Sequence, residues 1–140
     1  MPRTISIDTT AARIAFVTDD GTSISPHFGR AMYYEVVTLS NGSVVNRERR
    51  EKVGHHTFHA HHNHGEHNSS SHDEHDAKHR AMTDPIADCS LLVARGMGTG
   101  AHNHLTTAQI TPVITACKTI DEALASIARG RLDDNPERLH

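Results

Sequence analysis

Residues 89–101, Cys89-Ser90-Leu91-Leu92-Val93-Ala94-Arg95-Gly96-Met97-Gly98-Thr99-Gly100-Ala101, change character within a few positions. An apolar run gives way to glycine at every second position, and small residues follow. An unbroken apolar run of this length predicts a strand covered on both faces, because a strand with one wet face would alternate. The glycines predict a turn, and Ala101 to Ala108 predicts a short helix. Strand, turn and helix in succession open a unit in which helices cover a parallel sheet.

Downstream the pattern repeats. Thr111 to Ala116 predicts another strand, with Pro112 near its start, where a missing N–H is tolerated. Thr119-Ile120-Asp121-Glu122 is a capping box. Behind it Ile120, Ala123, Leu124, Ile127 and Ala128 share one helical face, and Gly130 closes the helix. Upstream, Arg13 to Thr18 predicts a buried strand ended by Asp19-Asp20-Gly21. Tyr33 to Leu39, the pair Asn41-Gly42, and Ser43 to Arg47 predict a hairpin whose second strand is polar enough to be an edge. Ala77 to Ala87 suits a helix interrupted at Pro85. The expected fold is therefore a three-layer α/β domain over residues 13–130, with a mixed sheet of about five strands. Residues 1–12 read as a flexible N-terminus and residues 131–140 as a C-terminal tail.

Between the hairpin and the second half lies a segment of another kind. Ten of the fourteen histidines fall between positions 55 and 79: His55, His56, His59, His61, His62, His64, His67, His72, His75 and His79. Glu66, Asp73, Glu74 and Asp76 against Lys78 give this insertion a net charge of −3, equal to that of the whole chain. The remainder is neutral and has no basic excess of the kind that marks a nucleic-acid partner. Apolar residues make up 36% of the 140 residues, below the roughly 45–50% usual for a globular domain, and the insertion carries much of the deficit. Neutral imidazole is the commonest metal ligand near neutral pH, and zinc, nickel, copper and cobalt all accept it. Irregular spacing, with Gly65 and Asn68-Ser69-Ser70-Ser71, predicts a flexible insertion with several exchangeable sites rather than one fixed tetrahedral site. The alternative is a solvated linker with no metal.

No charged start followed by an apolar run marks a secretory signal, and no apolar stretch approaches the roughly 18 residues of a membrane span. The expected location is cytoplasmic. Cys89 and Cys117 lack metal-type spacing and read as buried thiols. Oligomeric state is not legible.

Two places could carry chemistry. Ser25-Pro26-His27-Phe28-Gly29-Arg30 follows the first buried strand, and functional crevices of open α/β sheets lie beyond strand ends. Pro26 and Phe28 would stiffen and anchor a loop presenting His27, either as a ligand or as a solvated imidazole. The second place is Arg95-Gly96-Met97-Gly98, where glycines let main-chain N–H groups approach an anion at a helix start. Packing glycines are the plain alternative, and a dinucleotide fingerprint is matched only loosely. His102 and His104, two apart on a helix, do not share a face. No nucleophile elbow, zinc-protease helix or Walker loop is present, so a non-enzymatic protein is expected.

Taken in order, His27-Phe28-Gly29-Arg30-Ala31, Tyr33-Tyr34-Glu35-Val36, Asp88 to Gly98, and Ile120-Asp121-Glu122-Ala123-Leu124 resemble the dinitrogenase iron–molybdenum cofactor biosynthesis family. That family includes small one-domain proteins, the carrier NifX and the C-terminal part of NifB. The resemblance runs from Ile14 to Gly130, the insertion excluded. It implies a ribonuclease-H-like α/β fold without nuclease activity. It also implies a carrier of iron–sulfur- or molybdenum-containing clusters that works with cluster-assembly or acceptor proteins. By the resemblance His27 is a natural ligand position. The turn from Gly96 to Gly98 would face the same crevice, Arg30 and Arg95 would help neutralise an anionic cluster, and Cys89 would be strand core.

Overall fold

The structure, a computed structural model, describes residues 3–52 and 83–139. Among the described residues seven strands and two α-helices follow one another in the order β1 (Arg3–Ser6), β2 (Ala11–Thr18), β3 (Tyr33–Ser40), β4 (Ser43–Glu51), β5 (Leu91–Ala94), α1 (Thr99–Thr107), β6 (Thr111–Ile114), α2 (Ile120–Ile127) and β7 (Arg131–Asp134). Five of the strands form one mixed sheet in the order β4-β3-β2-β5-β6. The hairpin half is antiparallel, whereas β5 runs parallel to both β2 and β6. The mixed five-stranded sheet expected from the sequence is what forms.

The burial pattern explains the layers. Along β2, Ala15 and Val17 join a cluster with Tyr34, Leu92, Ala94 and Leu105 of α1. The alternate residues Ile14 and Phe16 join Val37, Val93, Val113 and the α2 residues Ile120, Ala123 and Ile127. Each helix thus covers one face, and β2 and β5 are apolar at every inner position because neither face meets water. The capping box forms as the sequence predicts: Thr119 Oγ1 accepts from the Glu122 N–H, and Glu122 Oε1 accepts from the Thr119 N–H. Asn41 and Gly42 both take positive φ, 51° and 81°, the twist a two-residue hairpin turn requires. A register shift opposite Thr38 and Leu39 bulges β4 at Val45.

Both chain ends correct the sequence reading. Residues 1–12 were expected to fray, yet Arg3–Ser6 pairs antiparallel with β7, and β2 starts at Ala11. Residues 131–140 were expected to be a tail, yet Leu132 is wholly buried against Ile7 and α2. Each strand is only four residues long, too short for periodicity to register, and each is stable because the other supplies its ladder. The end of β7 takes the place of a neighbouring strand along β6 at Ile114. Asp134 Oδ1 accepts from the Ile114 N–H at 3.0 Å, and Asn135 donates to the Ile114 carbonyl through both its main-chain N–H and Nδ2. The helix expected over Ala77 to Ala87 is described only at its end, where Asp84–Ile86 is a single 3₁₀ turn containing Pro85. The histidine-rich insertion, 55–79, lies outside the described residues. Among the described residues no helix is long and apolar enough to cross a membrane.

Candidate functional site

The loop after β2 is pinned on two sides. Asp20 accepts from the N–H groups of Ser23 and Thr22 at 2.8 and 2.9 Å, and these backbone bonds hold its carboxyl down at about 2. Ile24 donates to the Lys118 carbonyl and Ile120 to the Thr22 carbonyl, which fixes the loop to the start of α2. Next comes a pairing with the end of β5. Ser25 donates to Val17, Arg95 donates to Ser25, and Phe28 donates to Gly96 at 3.2 Å. The two stretches singled out in the sequence therefore lie side by side at the carboxyl ends of β2 and β5.

Within the loop, Ser25 Oγ accepts from the His27 N–H at 3.1 Å, and the His27 carbonyl accepts from the N–H groups of Arg30 and Ala31. These bonds fold residues 25–31 into a compact turn. Phe28 points inward, buried with Ala31, Tyr34 and Met97, and its ring lies 6.5 Å from that of Tyr34. His27, Gly29 and Arg30 stay exposed. A Cβ on Gly29 would meet nothing within 4 Å, so that position is open on the solvent side. The loop is an anchored platform that presents one imidazole.

On the β5 side, Gly96 is buried and Gly98 half-buried, and Gly98 caps α1 in an extended conformation with no side-chain cap bond. Arg95 is half-buried, and its Nε is buried with no hydrogen-bond partner among the described residues. Met97 corrects an expectation. It was a candidate for cofactor contact, but its side chain is 1% exposed, sits in the core, and pairs through its main chain with Leu139. Only the backbone of Met97 can serve the site. Cys89 is core, as expected, and burial pushes its thiol up to about 12, far from the thiolate a ligand needs. Cys117 is half-buried, and burial raises its thiol as well. His102 and His104 are both half-buried, and a His104 ring nitrogen lies 3.3 Å from the Thr83 hydroxyl. The ten histidines of the insertion lie outside the described residues. Among the described residues no three His, Cys, Asp or Glu side chains converge as a metal centre.

Sequence reasoning missed Lys52. It closes the charged run that begins at Arg47, yet it is buried, with Nζ 4.8 Å from the Phe28 ring centroid. Nothing in the charged run Arg47-Glu48-Arg49-Arg50-Glu51-Lys52 sets it apart from its neighbours.

The sequence matches the family described as dinitrogenase iron-molybdenum cofactor over residues 10–130. The chain belongs to that family. Solved structures agree on the fold of this family member. A proposed NifB protein from Thermotoga matches with a TM-score of 0.57 and 19% identity over 88% of this chain and 92% of that one. A proposed dinitrogenase from Methanocaldococcus jannaschii matches with a TM-score of 0.54 and 12% identity over 86% and 90%. No curated protein shows a significant match to the sequence.

Proposed function

We propose that this family member is a non-enzymatic carrier that docks an iron–sulfur- or molybdenum-containing cluster at His27 and passes it to assembly or acceptor proteins in the cytoplasm. The observation that carries the reading is the clamp between Phe28 and Gly96, which holds an exposed imidazole beside the turn from Gly96 to Gly98. One imidazole is an open-ended ligand: it can take one coordination position of a cluster and release it, as a carrier must. Arg30 and Arg95 flank the imidazole in sequence and in the paired turn, and guanidinium groups favour a negatively charged guest. The buried Nε of Arg95, which has no hydrogen-bond partner among the described residues, is a donor with capacity left for such a guest. Family membership supports the choice of cargo, and the ribonuclease-H-like expectation for the fold is compatible with the five-stranded mixed sheet.

The test is His27→Ala under anaerobic conditions, with tetrathiomolybdate and a reconstituted iron–sulfur cluster as probes. Because His27 is exposed, thermal unfolding should be unchanged while cluster retention falls by about tenfold or more. Parental retention would remove His27 from the site.

A second reading is motivated by ten histidines within residues 55–79. In it the chain stores or hands on a divalent metal such as zinc, nickel, cobalt or copper through the insertion. Deleting 55–79 and titrating with zinc should lower the bound stoichiometry by several ions; an unchanged stoichiometry dismisses this reading.

A further inference from the structure

Among the described residues β4 is the longest strand, and no strand pairs with its outer edge. The opposite edge of the sheet is closed at Ile114, where Asp134 and Asn135 take up the main chain of β6. An open edge presents a row of N–H and C=O groups that another strand can take up. The bulge at Val45 lies toward the turn, and from Asn46 to Glu51 the strand pairs with β3 without interruption. Side chains along this stretch alternate between the two faces. Arg47 donates to Glu35 of β3 and Asp121 of α2 on one face, and Arg50 donates to Asp88 on the other. Arg49 and Glu51 are exposed, and among the described residues neither has an ion-pair partner.

Charged side chains ordinarily keep foreign strands off an edge, but only where the arriving charges do not match. Arg47-Glu48-Arg49-Arg50-Glu51 matches its own reverse. Residues directly opposite in an antiparallel pair point to the same face, so two copies related by a two-fold axis meet with one residue on that axis. With Arg49 on the axis, Arg47 lies opposite Glu51 of the second copy and Glu48 lies opposite its Arg50, each pair occurring twice. Arg49 against Arg49 is then the like-charged pair of the run, and each guanidinium is drawn aside over the Tyr33 ring, 4.5 Å from its centroid. With Glu48 on the axis, Glu48 would meet Glu48 and Arg47 would meet Arg49. With Arg50 on the axis, the strands would overlap only over residues 49–51 instead of 47–51. We infer that β4 is a self-recognition edge, through which two copies of this chain pair antiparallel about Arg49 and join their five-stranded sheets. A contact this short makes a weak, reversible dimer at the small end of specific interfaces. The two-fold reverses the strand direction, so the two His27 loops, at the carboxyl ends of β2, lie toward opposite ends of the joined sheet. The inference does not depend on the carrier reading.

Sedimentation velocity of the full chain tests this, at concentrations up to millimolar, with a chelator and a reductant present to exclude metal- and thiol-linked association. The parent should dimerise reversibly at low salt, and high salt should weaken the dimer several-fold. Glu51→Arg sets arginine against Arg47 twice and should weaken the dimer about tenfold. Arg47→Glu sets glutamate against Glu51 twice and should do the same. An equal mixture of these two variants restores both opposite-charge pairs, and the mixed dimer should form about as tightly as the parent's. Thermal unfolding checks each variant, because Arg47→Glu also gives up the Glu35 and Asp121 bonds. Should it unfold, Arg49→Cys takes its place. Lying opposite itself, that residue should form a disulfide-linked dimer on mild oxidation, whereas Glu51→Cys, about 14 Å from its counterpart along the strands, should not. The parent, with Cys89 buried and Cys117 half-buried, gives the background. A parent that stays monomeric throughout overturns the inference. So does a dimer that neither high salt nor Glu51→Arg weakens, a mixture that does not recover, or an Arg49→Cys chain that links no better than Glu51→Cys. His27→Ala should associate as the parent does, so every one of these results leaves the carrier reading where it stands.

Discussion

The Phe28 amide donates to the Gly96 carbonyl at 3.2 Å, and this bond joins a loop from the hairpin half of the chain to a turn from the parallel half. The hydrogen bond sets the position, and the buried Phe28 ring holds it.

Phe28→Ala should therefore remove both packing and placement. Loss of a buried phenylalanine destabilises by about 3–5 kcal/mol, and the ring also carries the Tyr34 and Lys52 contacts. Urea unfolding measures the stability change, and cluster retention should fall with it even at temperatures where the variant stays folded. An unchanged midpoint would mean that the loop is held by its backbone bonds alone.

Asp88 joins β2, β4 and the approach to β5. Arg50 Nη1 lies 2.7 Å from its Oδ1 and Arg13 Nη1 lies 2.7 Å from its Oδ2. The Arg50 bond is the main cause that holds the carboxyl down at about 2, with Arg13 adding to it against partial burial. A carboxylate depressed on folding stabilises above its unfolded value, 3.8, and that contribution fades as pH falls through the folded value of about 2. Asp88→Asn should thus lower stability at neutral pH, and the gap to the parent should close between about pH 4 and pH 2. With the Asp88 side chain 45% exposed, solvent screening keeps the contribution to about 1 kcal/mol. Thermal unfolding across that range decides it; a constant gap would exclude the ion pairs as its source.

Asp134→Ala should leave the buried Ile114 N–H without its acceptor. An orphaned buried donor costs about 1–3 kcal/mol, and hydrogen exchange at Ile114 should accelerate. Asp134→Asn, which retains a carbonyl oxygen in the same place, should recover part of the loss. If alanine leaves both stability and exchange unaltered, the side chain is not acting as a surrogate strand.

Most of the sheet was legible because its signals are local. The apolar run at Leu91 to Ala94, the Asn41-Gly42 turn and the box at Thr119 to Glu122 each carry their physics within a few residues. The terminal strands were not legible. Arg3–Ser6 and Arg131–Asp134 have no pattern of their own, and each is a strand only because the other lies alongside it. At the site, the exposed His27 and the anchoring Phe28 were readable from a proline and an aromatic on either side of one imidazole. Met97 was misread because a residue between glycines gives no sign of which way its side chain turns, and in the fold it turns into the core.

The sequence by itself determined the strands and helices of the central sheet, its parallel half, the hairpin and the loop that carries the His27 imidazole, since periodicity, turn chemistry and capping act over one or two turns of chain. Tertiary structure alone decided which glycine turn faces that imidazole, that Met97 is core, and that one lysine of a charged run is buried beneath Phe28. Those outcomes depend on which strands become neighbours, and strand neighbours are chosen by burial summed over the whole sheet.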